Sequence, residues 1–331
     1  MIGWALASPR RIALVLVGVA ISVAAGLLAV RGVDLDRTAV VLRTADLSWL
    51  VIALGVLAVQ IVVRAARWRL LLPADGPERV AVARIVPVAL VGYLGNAVLP
   101  ARLGEALRGV LLARRESLPT AQTLGSVILE RVLDTLVLAV VGIAAAIAIG
   151  VPDWIVRVAG IGVVVSLAGL AALSAAPRLL ARIRIGRVER LIETVARFVH
   201  GAGVGRRPRR IAAAIGLCLV AWALDAVLYW LAARAIGLEL APAGAVLVSA
   251  VTVLSTAVPS APGYVGTFEL AAVAATGALG IDPSVGLAFA LVAHAVALLP
   301  IACAGAVALA FLGRDVRLAS AEPAVLRGRH A

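Results

Sequence analysis

Ionisable residues inside apolar stretches are the feature of this sequence with the most chemical content. Arg102, Glu130 and Asp225 are examples, since each lies in or beside a run of apolar residues. An ionisable group at membrane depth costs at least about 2.5–3.5 kcal/mol on insertion scales, so it usually pairs with another group or contacts a substrate. The full set comprises Arg102, Glu105, Glu130, Arg131, Asp134, Asp225, Glu269 and His294.

Glu130, Arg131 and Asp134 have the spacing of a charged cluster on one helix. The acids are four residues apart and Arg131 precedes Asp134 by three, so we expect them to meet near the cytoplasmic end of a helix. Two interpretations stay open. The cluster is either a self-neutralising ion pair that holds helices together or a polar wall that a headgroup or ion passes.

Asp225 and His294 are less easily interpreted. Asp225 has no opposite charge within one helical turn, so it must be protonated or pair with Arg102 or Arg131 across the bundle. His294 is equally compatible with a hydrogen-bonded packing residue and with a proton relay. Both are therefore possible site residues only.

Asn96 is the only asparagine in the chain, and it lies four residues before Pro100. A helix that restarts after a proline directs free N–H groups and the positive end of its dipole toward the gap. With Arg102 and Arg108 nearby, this arrangement suits a phosphate or carboxylate. Arg102 is the stronger candidate because a guanidinium can bind phosphate through two bonds.

Composition sets the class of protein that must position these residues. The chain has 331 residues, of which 63% are hydrophobic and 15% charged, against roughly 45–50% and 25% in soluble domains. This predicts an all-α polytopic membrane protein and excludes soluble enzymes, DNA-binding domains and disulfide scaffolds. Cys218 and Cys303 both lie in apolar runs, which indicates neither a metal site nor a disulfide. We expect no cofactor.

The net charge of +13 follows the membrane topology and does not indicate a nucleic-acid partner. All 31 basic residues are arginine, and ten lie between residues 178 and 210. With the N-terminus inside, 25 arginines fall in cytoplasmic segments, as the positive-inside rule requires. Those segments are 1–11, 64–84, 101–122, 177–210 and 313–331. We expect a multi-pass protein of the bacterial inner membrane with both termini cytoplasmic.

The apolar runs divide into two kinds. Six are expected to cross the membrane, including an uncleaved first one, and two are broken by proline and glycine and are expected to form half-helix pairs or re-entrant hairpins. The crossings are 12–30, 47–66, 130–150, 154–176, 211–236 and 284–312, and the broken stretches are 85–113 and 243–280.

The two breaks are related by their spacing. Pro100 and Pro262 are 162 residues apart, as are Gly104 and Gly266. Each half then has three crossings and one broken pair, which predicts an inverted repeat of residues 10–150 and 154–312 within a single membrane domain. The basic loop 177–210 and the tail 313–331 complete the organisation. Matching interrupted helices are the usual sequence pointer to a transporter's central site.

At these motifs the chain resembles the flippase-like transmembrane family, which includes the membrane region of lysylphosphatidylglycerol synthases. The matching segments are NAVLPARLGE at 96–105 with Arg108, ERVLD at 130–134 and PGYVGTFE at 262–269. The resemblance implies movement of amino-acylated or other phospholipid-like molecules between leaflets. Synthase members also carry a large soluble transferase domain. Since only a short polar stretch follows Leu312, we do not expect aminoacyl transfer here.

The resulting expectation is a non-enzymatic lipid flippase or transporter of lipid-linked, charged amphiphiles. Its partners would be membrane lipids with anionic or phosphate-bearing headgroups, with a homo-oligomer or a partner glycosyltransferase or synthase as further options. The alternatives are an integral-membrane transferase or hydrolase acting on lipid-linked substrates, and a non-catalytic partner of such an enzyme. The expected substrate-binding residues are Asn96, Pro100, Arg102, Gly104, Glu105, Arg108, Glu130, Arg131, Asp134, Pro262, Gly263, Gly266 and Glu269.

Overall fold

The computed structural model is helical over the residues that it describes, and it contains no strand there. Those residues are 9–73, 78, 80–99, 102–151, 156, 157, 160, 161, 163–169, 171 and 208–321. The helices are α1 (Pro9–Ala29), α2 (Leu35–Arg43), α3 (Leu47–Leu71), α4 (Val82–Val98), α5 (Leu103–Arg115), α6 (Thr120–Ile149), α7 (Pro208–Ala235), α8 (Pro242–Ser255), α9 (Thr267–Ala278) and α10 (Pro283–Ala321). Pro100, the basic loop 177–210 as far as residue 207 and much of the expected crossing 154–176 lie outside the described residues.

Four helices within the described ranges have the length and apolarity to cross a membrane. They are Leu47–Leu71, Thr120–Ile149, Pro208–Ala235 and the Pro283–Gly313 part of α10. Each has at least the roughly 20 residues that a bilayer crossing needs. The shorter apolar helices include α4 and α8. The expected class, an all-α polytopic membrane protein, is confirmed.

Two helices have different ends from those predicted, and both differences concern charged residues. Helix α3 was expected to end at residue 66 but continues to Leu71, and α6 was expected to begin at residue 130 but begins at Thr120. The charged residues were taken as membrane boundaries. They lie inside the helices because neighbouring helices supply opposite charges, as described below.

The first predicted break is a hairpin of α4 and α5 whose helices approach closely at glycines. A Cβ atom added to Gly104 would lie 2.0 Å from the backbone oxygen of Gly92 and 2.5 Å from the backbone nitrogen of Asn96. Only glycine leaves room for this contact. Helix α5 begins after Arg102, whose backbone is left-handed at φ 53°.

We expect Gly104→Ala to lower the free energy of unfolding by at least roughly 1–3 kcal/mol, because the methyl group would push α5 off α4. Gly55→Ala is a matched control, since no heavy atom lies within 4 Å of its added Cβ. That change should be neutral or stabilise α3 by up to about 1 kcal/mol. Thermal unfolding in detergent measures both, and equal stability of the two variants would contradict the close packing.

The second break, between α8 and α9, contains a short 3₁₀ turn at Pro262–Tyr264. Gly263 and Gly266 have φ angles of 73° and 88°, which favour glycine. Gly266 also packs against α1, since its Cβ would lie 2.1 Å from the backbone oxygen of Ser22. The hydroxyl of Ser22 accepts the N–H of Ala261 at 2.8 Å. Helix α1 therefore holds the break in place.

Three helix contacts bear on the predicted relation between the two halves. Helix α3 packs along α7, α4 packs on α10, and α8 packs on α6. If α3, α4 and α6 correspond to α7, α8 and α10, each of these contacts has its counterpart. The boundaries of the two half-repeats remain a prediction.

The loop before α10 lies outside the bilayer-spanning helices, and the side chain of Asp282 fixes it by capping the start of α10. The carboxylate of Asp282 accepts the N–H of Ser284 at 2.9 Å and pairs with Arg37 of α2 at 3.0 Å. The Ser284 N–H, together with Arg37, lowers the pKa of Asp282 below its usual value. This contact ties α2 to the start of α10.

Candidate functional site

A network of buried charges joins α3, α5 and α6. Arg67 of α3 contacts Glu130 at 2.5 Å and also pairs with Asp134. Arg108 of α5 contacts Glu105 at 2.5 Å and Glu130 at 2.9 Å. The side chains of Arg67, Arg108 and Glu130 are at most 1% exposed. Such burial is tolerable only because each charge has several opposite partners.

Arg131 completes this network on its exposed side. Its guanidinium lies 3.0 Å from Asp134, 3.3 Å from Glu130 and 3.8 Å from Glu105, while 30% of its side chain remains exposed. Three arginines therefore balance three carboxylates. The sequence left open whether Glu130 and Asp134 form ion pairs or a polar wall, and the structure places both in ion pairs between helices.

Arg102 differs from these arginines because it has no carboxylate within ion-pair distance in the part of the chain that the structure describes. Its guanidinium donates to the hydroxyl of Thr256 at 2.5 Å, at the end of α8. It also lies over the ring of Tyr264, 5.6 Å from the ring centre. Arg102 therefore connects the first break to the second, and its side chain is only half-buried.

Asn96, at the end of α4, is joined to the buried network. Its amide nitrogen donates to Glu105 at 3.2 Å, and its amide oxygen is buried without a hydrogen-bond partner among the described residues. Glu105 in turn accepts from Arg108 at 2.9 Å. Asn96 and Glu105 of NAVLPARLGE are thus connected to the interior through Arg108.

Asp225 has a partner that sequence reasoning did not supply. It accepts a hydrogen bond from Gln60 at 2.8 Å and lies 3.6 Å from Arg64, both on α3. The pairing expected from the sequence was with Arg102 or Arg131. Because α3 packs along α7, Arg64 can reach Asp225 instead.

Glu269 and His294 form a separate group that holds the second break. One oxygen of Glu269 accepts the N–H of Gly266 at 2.6 Å, and the other lies 2.6 Å from Nδ1 of His294. Nε2 of His294 lies 2.8 Å from the carbonyl oxygen of Gly263, which can only accept, so Nε2 carries a proton. One more proton lies between the imidazole and the carboxylate. The pair is therefore neutral overall, and it fixes Gly263 and Gly266.

Most of the predicted site residues form three groups, and Arg102 stands apart from them because it spans the two breaks. The first group is one connected network of Asn96, Glu105, Arg108, Glu130, Arg131 and Asp134. Gly263, Gly266, Glu269 and His294 form the second group, and Asp225 belongs to a third with Gln60 and Arg64. Gly104 contributes the close approach of the hairpin, and Pro262 begins the 3₁₀ turn. Within the described ranges, no cluster of three or more His, Cys, Asp or Glu side chains could hold a metal ion.

Gln60, Arg64 and Arg67 are the functional candidates that sequence reasoning missed. The two arginines were assigned to a cytoplasmic loop that begins at residue 64. A signal was available, because positions 60, 64 and 67 share one helical face and no proline or glycine occurs between residues 56 and 72. The unpaired acids of the other helices required such partners.

The fold and these sites define a polytopic helical membrane protein with a largely buried network of three arginines and three carboxylates. A family model described as the lysylphosphatidylglycerol synthase TM region matches residues 15–305. The chain therefore belongs to that family, as the motifs predicted.

A curated relative corrects one expectation. Glycosyltransferase AglD of Haloferax volcanii is 29% identical over 328 residues, which cover 87% of this chain and 52% of the relative. The chain thus spans about half the length of the curated relative it matches. The expectation of a non-enzymatic protein is contradicted by this finding, because the relative is named an enzyme.

Proposed function

We propose that the protein binds a phosphate-bearing lipid at Arg102 and moves its headgroup between the leaflets of the bacterial inner membrane. Both termini would lie on the cytoplasmic side. The lipid tails would stay in the bilayer while the headgroup enters between the two breaks. The charge of Arg102 would compensate the phosphate during this passage.

One observation carries the proposal: among the described residues Arg102 has no acidic partner, whereas Arg64, Arg67, Arg108 and Arg131 each have at least one. An unpaired guanidinium at a helix break is costly unless it serves a ligand. The guanidinium of Arg102 donates one hydrogen bond to the hydroxyl of Thr256 and lies over the ring of Tyr264. Its remaining N–H groups are therefore free to bind a phosphate. Its left-handed backbone adds a local cost of the kind found at functional sites.

The other predicted residues would then position Arg102. Arg108 is buried beneath Glu105 and Glu130 and over the ring of Trp68 at 4.6 Å, so it acts in the proposal as a support for α5. Asn96 and Glu105, which contact each other at 3.2 Å in the hairpin, would orient the headgroup. Arg131, the half-exposed member of the network, is a second cation for an anionic headgroup.

A leaflet-accessibility assay tests the proposal. The purified protein would be reconstituted in liposomes that contain a fluorescent phosphatidylglycerol, with fluorescent diacylglycerol as the phosphate-free control. We expect the protein to accelerate the transbilayer movement of the phospholipid above that of empty liposomes. If folded protein leaves the rate of every phosphate-bearing lipid unchanged, the proposal fails.

The name of the Haloferax relative favours a second candidate, which is transfer of a sugar to or from a lipid-linked substrate. The same phosphate contact at Arg102 would hold that substrate. Thin-layer chromatography of lipids incubated with the purified protein and a sugar donor would reveal a new lipid. An unchanged lipid profile with every donor would count against this candidate.

A further inference from the structure

A cavity of about 130 Å³ lies where α3, α4, α7 and α10 meet. Its polar wall includes Gln60, Arg64, Tyr93 and Asp225, and the remaining wall is mostly aliphatic, from residues such as Leu57 and Val296. Tyr229 also lines the cavity, and its hydroxyl is bonded to Thr252. A site with a few convergent polar groups in an apolar wall is typical of small-ligand binding. None of these four polar residues was assigned to phosphate binding above.

The charges in this wall cancel, which restricts the kind of ligand that fits. Arg64 and Asp225 lie 3.6 Å apart, farther than Arg67 and Arg108 lie from their carboxylate partners, and each side chain is 13% exposed. A cation would have to sit beside Arg64, and an anion beside Asp225. A neutral ligand avoids both repulsions.

The wall also contains a hydrogen-bond acceptor and hydrogen-bond donors that have no partner among the described residues. Oδ2 of Asp225 is buried and has no hydrogen-bond partner among the described residues. The residue as a whole is only 9% exposed, so water does not readily satisfy this oxygen. Arg64 rests on the ring of Trp222 at 4.6 Å, and its ion pair with Asp225 uses only part of its five donors. Hydroxyl groups can donate and accept at once, so a group with several hydroxyls satisfies both sides.

The cavity adjoins the hairpin that carries Arg102. Tyr93 lies one helical turn before Asn96 on α4, and Asn96 contacts Glu105 of α5. A headgroup whose phosphate is held near the break could therefore extend its remaining part along α4.

We propose that this cavity binds the neutral, hydroxyl-rich part of a lipid headgroup, of the sugar type, between Asp225 as acceptor and Arg64 as donor. The inference rests on the proposed function, since it names the headgroup of the lipid held at Arg102. Gln60 would position the carboxylate, and the aliphatic residues would cover the carbon face of the ring.

Saturation-transfer NMR with octyl glucoside, a probe without phosphate, tests this inference. The protein would be held in nanodiscs, and octanol would control for insertion of the tail. We expect transfer to the sugar protons of octyl glucoside, with binding about tenfold weaker in Asp225→Asn, since one hydrogen bond to a charged group is lost. Asp282→Asn, at an exposed acid, is the matched control and should bind as the wild type does.

Two further variants keep the test decisive. Tyr93→Phe removes one hydroxyl from the wall and should weaken binding even if Asp225→Asn does not fold. Arg37→Ala, at an exposed arginine of α2, should leave binding of this probe unchanged. Tighter binding of octyltrimethylammonium than of octyl glucoside, or loss of binding in Arg37→Ala, would overturn the inference. Absence of sugar saturation in the wild type would also overturn it, while phospholipid movement in liposomes would still support the proposed function.

Discussion

We expect Arg67→Ala to lower the free energy of unfolding by roughly 3–5 kcal/mol, the usual cost of removing one partner from a buried ion pair. Arg67 is 1% exposed and contacts both Glu130 and Asp134. Without it, Arg131 would be the one ion-pair partner left to Asp134 among the described residues, and Glu130 would share Arg108 and Arg131 with the other carboxylates. Loss of stability on this scale should appear as poor accumulation in the membrane and an early thermal transition.

Two matched variants separate charge balance from lost packing. Arg37→Ala removes an exposed arginine that pairs with Asp282, and it should cost less than about 1 kcal/mol. Arg67→Met combined with Asp134→Asn removes one charge of each sign and should recover much of the stability lost in Arg67→Ala. If Arg67→Ala unfolds at the wild-type temperature, the buried network does not hold α3 to α6.

The sequence predicted the breaks of this fold better than the ends of its helices. Proline and glycine act locally, so the runs around Gly104 and Gly266 could be identified without knowledge of their neighbours. Where a helix with charged residues leaves the membrane depends on other helices. Arg67 was assigned to a loop because its partners Glu130 and Asp134 lie more than sixty residues away.

In the candidate site, too, the sequence predicted what is local but not what depends on helix packing. That Asp225 and Glu130 needed neutralisation followed from their place in apolar runs. Which arginine neutralises each one depends on helix packing, since α3 lies along α7 and brings Arg64 to Asp225. The pairing of Glu269 with His294 likewise depends on how α9 packs against α10.

The second large effect is expected at Arg102, where we predict loss of lipid movement with little loss of stability. Arg102→Ala removes a hydrogen bond to Thr256 and a contact with Tyr264, but it leaves no carboxylate without a partner. The free energy of unfolding should therefore fall by no more than about 1–2 kcal/mol. Arg102→Lys keeps the charge and loses the planar guanidinium, so it should fold normally and transport poorly.

Arg131→Lys is a useful comparison in the same experiment. Arg131 is half-exposed and paired with acids, so a lysine there retains the charge that the network requires. We expect this variant to move lipid faster than Arg102→Lys. Equal loss in both would indicate that overall charge, and not the contact at the two breaks, limits movement.

The transbilayer rate of fluorescent phosphatidylglycerol in liposomes containing wild-type protein or Arg102→Lys tests the central claim most directly. We predict rapid movement with the wild type and a rate close to that of empty liposomes with the lysine variant, at equal amounts of folded protein. A lysine variant as fast as the wild type would contradict recognition of phosphate by the guanidinium of Arg102.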